Sequence, residues 1–133
     1  MAIKTREEWL QIRHSGIGAS EVSAIVGLNP YMTNVQLWEF KTGLKEPEDI
    51  GDKPYVQYGL QAEKYLRALF ALDFPEYKVG YREYDLVRNK KYPFILATLD
   101  GRLIEKATGR RGVLEIKTTE ILKSMQKESW KDQ

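Results

Sequence analysis

The sequence predicts a mixed α/β or α+β domain, in which helices flank a mixed sheet of about three or more strands. Helical patterns fill the first half of the chain. A stretch rich in Tyr and Val that partly alternates follows at residues 77–89, and further strand patterns continue to residue 118. The 133 residues, 42% of them hydrophobic, suit one core. We therefore expect residues 1–133 to form a single domain.

Four helices are expected before the strands. Each start carries a residue that can accept a hydrogen bond from the first turn or is followed by an apolar periodic run, and glycines mark two of the ends. The expected helices begin at Thr5, at Ser20 and at Thr33 or Asn34, with ends at Gly27 and Gly43 for the second and third, and the longest covers residues 56–72. Residues 45–54, rich in acids, Gly and Pro, read as a surface loop.

Three strands are expected after the helices, at residues 77–89, 92–106 and 113–118. Residues 106–112 are typical of a hairpin connection between the second strand and the third. An amphipathic segment then begins at Thr118 or Thr119. The order of helices, strand meander and helix supports the predicted fold class.

The composition excludes several kinds of site. The chain has no cysteine and a single histidine, His14, so disulfide scaffolds, zinc-cysteine sites and thiol nucleophiles are excluded. Any metal must bind oxygen ligands, which favours Mg²⁺ or Mn²⁺. The sequence contains no run of about 18 apolar residues, so no membrane span is predicted. The N-terminus lacks the apolar core of a secretory signal. We expect a cytoplasmic protein.

Glu63 lies in the middle of the apolar stripe of the longest predicted helix, away from Lys64 and Arg67 on the solvated face. The stripe residues around it are Val56, Leu60, Leu66 and Phe70. A carboxylate in this position must be paired or bind a cation, because its isolated burial is costly. A bond to a backbone amide or to an arginine is the alternative interpretation.

Polar residues interrupt the last predicted strand, "VLEIKT", where Glu115 and Lys117 share one face. A hairpin can bring Asp100 close to Glu115 on the adjacent strand, and two such carboxylates repel unless a divalent cation lies between them. The backbone carbonyl of Ile116 could add a ligand, and Lys117 could hold or deprotonate an attacking water. This set predicts metal-assisted phosphodiester hydrolysis. A turn aspartate and a solvated cross-strand ion pair are the alternatives.

Motifs across the chain resemble a known family. "LDG" followed by "LEIKT" resembles the PD-(D/E)xK nuclease signature. The segments "GIGASEVSAIVGLNPYMTNVQLWEFKTG", "YGLQAEKYLRALF", "ATLDGRLIE" and "GVLEIKT" resemble, in that order, the YqaJ-type viral recombinase family, relatives of the phage lambda exonuclease. The resemblance implies a restriction-endonuclease-like core.

The resemblance also implies roles for individual residues. Asp100 and Glu115 match the metal-ligand acids, Lys117 matches the catalytic lysine, and Glu63 matches a helix glutamate that approaches the metal, often through water. Mg²⁺ or Mn²⁺ is the implied cofactor.

Arg13 and Ser20 match a pair that holds the 5′-phosphate of the DNA end in the exonuclease members. A serine at a helix N-terminus with an arginine nearby is also a physically suitable phosphate site. The alternative interpretation is a plain N-cap and a surface cation.

The resemblance implies a 5′–3′ exonuclease acting on double-stranded DNA ends in phage-type recombination, although an endonuclease stays open. Its implied partners are double-stranded DNA, a single-strand annealing protein and further copies of the chain in a ring, in a bacterial host. The family usually continues past the lysine strand with a helix and a segment containing Tyr and Gln. Because the sequence stops at Gln133, we expect that segment to lie outside it or the domain to be abbreviated.

A function from a different class also fits the sequence. The chain could be a non-catalytic nucleic-acid-binding or assembly module whose acidic cluster is structural. Lys117 favours the enzyme, since a structural pair of acids does not need a lysine two residues after the second acid.

Overall fold

The computed structural model describes residues 2–118 and has helices in the first part of the chain and strands in the second. The helices are α1 (Arg6–His14), a short 3-10 helix (Ala19–Glu21), α2 (Val22–Ile25), α3 (Asn34–Thr42) and α4 (Pro54–Asp73). The strands are β1 (Tyr77–Gly80), β2 (Leu86–Arg88), β3 (Leu96–Thr98), β4 (Gly101–Glu105) and β5 (Arg111–Leu114). This arrangement confirms the mixed α+β class. The expected segment that starts at Thr118 or Thr119 lies outside the described residues, apart from Thr118 itself.

The strands form two antiparallel sheets, β1-β4-β5 and β2-β3. The predicted strands at 77–89 and 92–106 are therefore each divided between the two sheets. The first is interrupted where Tyr84 adopts a left-handed backbone with φ 52°, and the second bends at residues 99–100. The hairpin between the second and third predicted strands is confirmed, because β4 and β5 pair on either side of residues 106–110.

The placement of Glu115 and Lys117 on a strand is wrong. β5 ends at Leu114, which pairs with Gly101 at the start of β4. Because β4 begins at Gly101, its pairing with β5 ends there. Beyond Leu114, the amide of Ile116 donates to the side chain of Asp100 at 2.8 Å. The third predicted strand therefore ends at Leu114, and the side chain of Asp100 holds the segment that follows.

The helix ends agree with the sequence at two of the three expected N-caps. The Thr5 hydroxyl accepts from the Glu8 amide at 3.2 Å, and Thr33 forms a reciprocal capping box with Gln36. The prediction that Ser20 caps a helix is wrong, because Ser20 lies inside the 3-10 helix and α2 follows it.

The helical part of the chain joins the β2-β3 sheet at a close approach of two backbones. Ile17 donates to the Phe94 carbonyl at 2.7 Å and accepts from the Leu96 amide at 2.9 Å, which makes a parallel bridge between Ile17 and Ile95. A Cβ on Gly16 would lie 2.6 Å from the Phe94 carbonyl oxygen, so the bridge requires glycine there.

Few side chains are fully buried within residues 2–118. The buried hydrophobic residues are Ala24, Leu37 and Leu96, and Asp85 is the buried charged residue. No helix in this part of the chain has both the length and the apolar character needed to cross a membrane.

Candidate active site

Five of the predicted site residues line one cavity of about 430 Å³. Arg13 comes from α1 and Ser20 from the 3-10 helix, while the remaining three, Asp100, Glu115 and Lys117, come from the bend before β4 and from the segment after β5. The Ile17–Ile95 bridge and the β4–β5 hairpin therefore bring these parts of the chain together around one cavity.

Asp100 lies on the bend between β3 and β4, and its carboxylate faces the segment after β5. The Oδ2 atom accepts from the amide of Ile116 at 2.8 Å. The hairpin thus brings the Asp100 side chain to the amide of Ile116, between Glu115 and Lys117, and the close approach of the two carboxylates stays a prediction. The contact that joins Ile116 to Asp100 runs through the amide, and the carbonyl as a metal ligand stays a prediction.

Glu115 and Lys117 form an ion pair at 2.7 Å, with side chains that are 64% and 80% exposed. The hydrogen bond to Glu115 raises the pKa of Lys117 against the opposing effect of burial, and the charges of Glu115, Asp100 and Glu63 act in the same direction as the hydrogen bond. Lys117 is therefore a cation at neutral pH, which suits a residue that orients water or offsets negative charge better than one that removes a proton.

Glu63 is half-buried on α4, with Arg67 beside it. The Glu63 Oε2 and Arg67 NH1 atoms are 3.6 Å apart, and the Arg67 side chain is only 11% exposed. The expectation that Arg67 lies on the solvated face is wrong, and so are the places given to Leu60 and Leu66 in the apolar stripe, since both are exposed. The arginine partner considered as an alternative for Glu63 is present.

Arg67 is a site residue that the sequence interpretation missed. Its NH1 atom donates to the backbone carbonyl of Asp100 at 3.0 Å, and its guanidinium carbon lies 3.6 Å from the centroid of the Tyr81 ring. The i,i+4 spacing from Glu63 was the available signal, since opposite charges at this spacing meet on one helix face.

The pKa of Glu63 reflects its burial and the charges around it. Burial raises the pKa of Glu63, and the negative charge of Asp100 raises it further, while Arg67 and Lys117 lower it. A carboxyl whose ionisation is opposed by burial and by a neighbouring carboxylate is a suitable environment for a cation.

The donor chemistry of these residues fits Mg²⁺ or Mn²⁺, which bind carboxylate and carbonyl oxygens. Within residues 2–118, no group of three or more His, Cys, Asp or Glu side chains is arranged to hold a metal ion. The sequence-predicted donors are the carboxylates of Asp100 and Glu115, each of which bonds to a protein group in this structure.

Trp9 supports the wall of the cavity that carries Arg13, and it is a second residue that the sequence interpretation missed. The Arg13 guanidinium carbon lies 4.7 Å from the Trp9 ring centroid, and the Trp9 Nε1 atom donates to Thr98 Oγ1 at 2.9 Å. A cation–π contact of this kind holds a guanidinium in place without neutralising it.

Lys41 connects the two elements that carry Arg13 and Ser20. Its Nζ atom donates to the Arg13 carbonyl at 2.8 Å and forms an ion pair with Glu21 at 3.0 Å. Glu21 also accepts from the Gly18 amide at 2.8 Å. These contacts fix the end of α1 against the 3-10 helix, so that both residues face one cavity.

Comparison with known proteins identifies the family of this chain. The model of the YqaJ-like viral recombinase domain matches residues 8–133. A protein of Bacillus subtilis (strain 168) with the name "Uncharacterized protein YqaJ" is 34% identical over 115 residues, which are 86% of this chain and 34% of that protein. The chain therefore spans about a third of the length of this relative. On the match of the domain model over most of its length, the chain belongs to the YqaJ-like viral recombinase domain family.

Proposed function

We propose that the chain is a divalent-metal-dependent deoxyribonuclease, acting as a 5′–3′ exonuclease on the ends of double-stranded DNA in phage-type recombination. The observation that carries the proposal is the common cavity. The residues that line it include two carboxylates and an ammonium, in Asp100, Glu115 and Lys117, and a guanidinium and a hydroxyl, in Arg13 and Ser20. Metal-assisted phosphodiester hydrolysis needs these groups together.

Asp100 and Glu115 would hold Mg²⁺ or Mn²⁺, with the Ile116 carbonyl as a further ligand and Glu63 acting through water. Such an ion polarises a phosphate oxygen and lowers the pKa of bound water. Glu115 has to exchange its ion pair with Lys117 for this role, and its exposed side chain has the freedom to do so.

Lys117 would orient the attacking water and offset the negative charge that develops on the phosphate oxygens. The raised pKa of Lys117 keeps it protonated at neutral pH. A fixed positive charge at the point where negative charge develops stabilises the transition state. The water oxygen then forms the new bond to phosphorus, the bond to the 3′ oxygen breaks, and that oxygen takes up a proton.

Arg13 and Ser20 would bind the terminal 5′-phosphate. A guanidinium can donate two parallel hydrogen bonds to phosphate oxygens, and a hydroxyl can add a third. Because this pair lines the same cavity as the acids, the terminal phosphate would lie in one cavity with the reacting phosphate. Each cleavage leaves a new 5′-phosphate that the same pair can bind, which accounts for the 5′–3′ direction.

The wider assembly forms part of the proposal. A duplex end is the substrate, a single-strand annealing protein is the partner for the strand that remains, and several copies of the chain would form a ring. The setting would be the cytoplasm of a bacterial host carrying a phage or prophage.

A second candidate function is a nucleic-acid-binding or assembly module with a structural acidic cluster. The observation that favours it is that the acids already have partners in the protein. Asp100 bonds to the Ile116 amide and Glu115 to Lys117, while Glu63 lies beside Arg67.

A nuclease assay on 5′-phosphorylated duplex DNA with Mg²⁺ tests the first function. Lys117→Ala should lower the rate by about 10²-fold or more, the usual contribution of a residue that assists proton transfer or charge development. Lys64→Ala, on the exposed side of α4, is the matched control and should retain the wild-type rate. Equal degradation by the wild type and Lys117→Ala would reject the assignment.

Calorimetric titration with Mn²⁺ separates the two functions. The nuclease requires an ion at Asp100 and Glu115, so Glu115→Gln should weaken binding about tenfold or more, as expected when a charged ligand is lost. The module predicts no such binding in the wild type and no loss in the variant.

A further inference from the structure

Asp85 is the buried charged residue within the described part of the chain, with only 1% of its surface exposed. Its carboxylate bonds to Arg102 twice, from Nε to Oδ2 at 2.5 Å and from NH2 to Oδ1 at 3.0 Å. Arg82 makes a further ion pair with Oδ1. Both arginine side chains remain more than half exposed, at 60% for Arg82 and 52% for Arg102.

The backbone of Asp85 contacts the same region of the chain as its carboxylate. Its carbonyl accepts from the Leu99 amide at 2.9 Å, next to the paired residues Leu86 and Thr98 of the β2-β3 sheet. Asp85 thus contacts the chain on both sides of Asp100. Its backbone carbonyl binds Leu99, and its carboxylate binds Arg102.

Burial of a carboxylate is costly, and an apolar residue of similar size usually stabilises a fold as well or better. What a buried carboxylate adds is direction, because two hydrogen bonds to one guanidinium fix both distance and orientation. In this protein, the bonds of Asp85 orient the bend between the two sheets, where β3 ends at Thr98 and β4 starts at Gly101.

We propose that Asp85 is a positioning residue, which acts through Arg102 to hold the bend that carries Asp100 and so aims the Asp100 carboxylate at the segment after β5. The inference rests on the proposed function in one respect, since it takes Asp100 as an acid of the active site. It adds a residue outside the cavity to the machinery of that site.

The two arginines provide a matched pair of variants. Arg102 follows Asp100 by two residues and connects Asp85 to the bend. Arg82 lies three residues before Asp85 on the same segment and has no such connection. A merely structural role predicts that the loss of either arginine has a similar effect, whereas the positioning role predicts that only Arg102 matters for Asp100.

The first measurement is the hydrogen exchange of the Ile116 amide by NMR, in the full chain and in buffer with a chelator. This amide donates to Asp100 Oδ2, so it reports the aim of the carboxylate directly. Arg102→Gln should speed its exchange by about tenfold or more, while Arg82→Gln should leave it within about twofold of the wild type. Amides between β1 and β4 should exchange at wild-type rates in both variants, which separates a local change from global unfolding.

Either of two results would overturn the proposal, namely unchanged Ile116 exchange in Arg102→Gln or equal acceleration in both variants. Asp85→Asn should resemble Arg102→Gln. If Asp85→Asn does not fold, the pair of arginine variants decides, because both side chains are largely solvated.

The second measurement is Mn²⁺ affinity in the same variants. Arg102→Gln should bind Mn²⁺ about tenfold more weakly and Arg82→Gln like the wild type, as expected for a partner that orients a ligand. If the wild type binds no Mn²⁺, the proposed function fails, and the Ile116 exchange alone then decides whether Asp85 holds the bend.

Discussion

The guanidinium of Arg67 lies over the ring of Tyr81, with its central carbon 3.6 Å from the ring centroid. From this position the same group reaches the Asp100 carbonyl at 3.0 Å and lies 3.6 Å from Glu63. One helix residue thus connects α4 to the segment after β1 and to the bend before β4. The position of Glu63 relative to Asp100 depends on this side chain.

Arg67→Gln should therefore destabilise the protein. The change removes the charge beside the half-buried Glu63 and the ion that stacks on Tyr81, and we expect the free energy of unfolding to fall by about 1–3 kcal/mol. Urea unfolding at neutral pH measures the change. Lys64→Gln, three residues earlier on the exposed side, should cost less than about 0.5 kcal/mol. Similar losses for both variants would contradict the role given to Arg67.

Asp85 should contribute to stability in a pH-dependent way. Hydrogen bonds from Arg102 lower the pKa of Asp85 below its ordinary value of 3.8, against the effect of burial and with help from Arg82. For an acid with a lowered pKa in the folded state, the stabilisation is fully present above the unfolded value and is lost as the pH falls through the folded one.

The difference in unfolding free energy between the wild type and Asp85→Asn should thus be largest at neutral pH and shrink below about pH 4. Urea unfolding at a series of pH values gives this difference. A gap that stays constant down to about pH 2 would show that the charge of Asp85 is unimportant.

Gly16→Ala should disrupt the junction between the helices and the β2-β3 sheet. The added Cβ would lie 2.6 Å from the Phe94 carbonyl oxygen and 2.7 Å from the Leu96 side chain, so the backbones must separate. We expect a loss of more than about 2 kcal/mol. Gly80→Ala is the control, because the nearest atom to its Cβ would be 3.9 Å away. Thermal unfolding of the two variants measures the contrast, and equal melting temperatures would contradict the close approach.

Trp9 should support recognition of a 5′-phosphate through Arg13. Trp9→Ala removes the ring beneath the Arg13 guanidinium. We therefore expect the ratio of affinities for duplex ends with a 5′-phosphate and with a 5′-hydroxyl to fall about threefold or more. Trp9→Phe keeps a ring and loses the bond to Thr98, so it should retain most of that preference. Trp38→Ala, an exposed tryptophan on α3, is the control. Fluorescence binding to the two kinds of duplex end tests the series.

The local features of this fold were predictable from the sequence. Thr5 and Thr33 carry the helix starts because their hydroxyls satisfy amides of their own first turns, and Gly43 ends α3 with φ 78° because glycine tolerates that conformation. The turn at residues 106–110 likewise depends on neighbouring residues, and it brings Asp100 to the segment after β5.

The contacts that position the site were harder to predict because they depend on distant partners. Arg67 is largely buried because it contacts Tyr81 and Asp100. Both residues lie outside helix α4, so the pattern of the helix could not indicate these contacts. The predicted strand at 77–89 is interrupted at Tyr84, and the next residue, Asp85, bonds to Arg102 and to Leu99 of the bend. The same bend leaves β5 without a backbone partner after Leu114. Ser20 fails as a cap because the chain forms a 3-10 turn around it.

The bridge between Ile17 and Ile95 has a consequence for the folding pathway. Helices and hairpins assemble from neighbouring residues, but this bridge closes a loop that contains most of the chain, and long loops carry the largest entropic cost of closure. The Arg13 side of the cavity can meet the Asp100 side only after that closure. We therefore expect a ribosome-bound chain to acquire its helices early and its cavity only once the last strands have been synthesised.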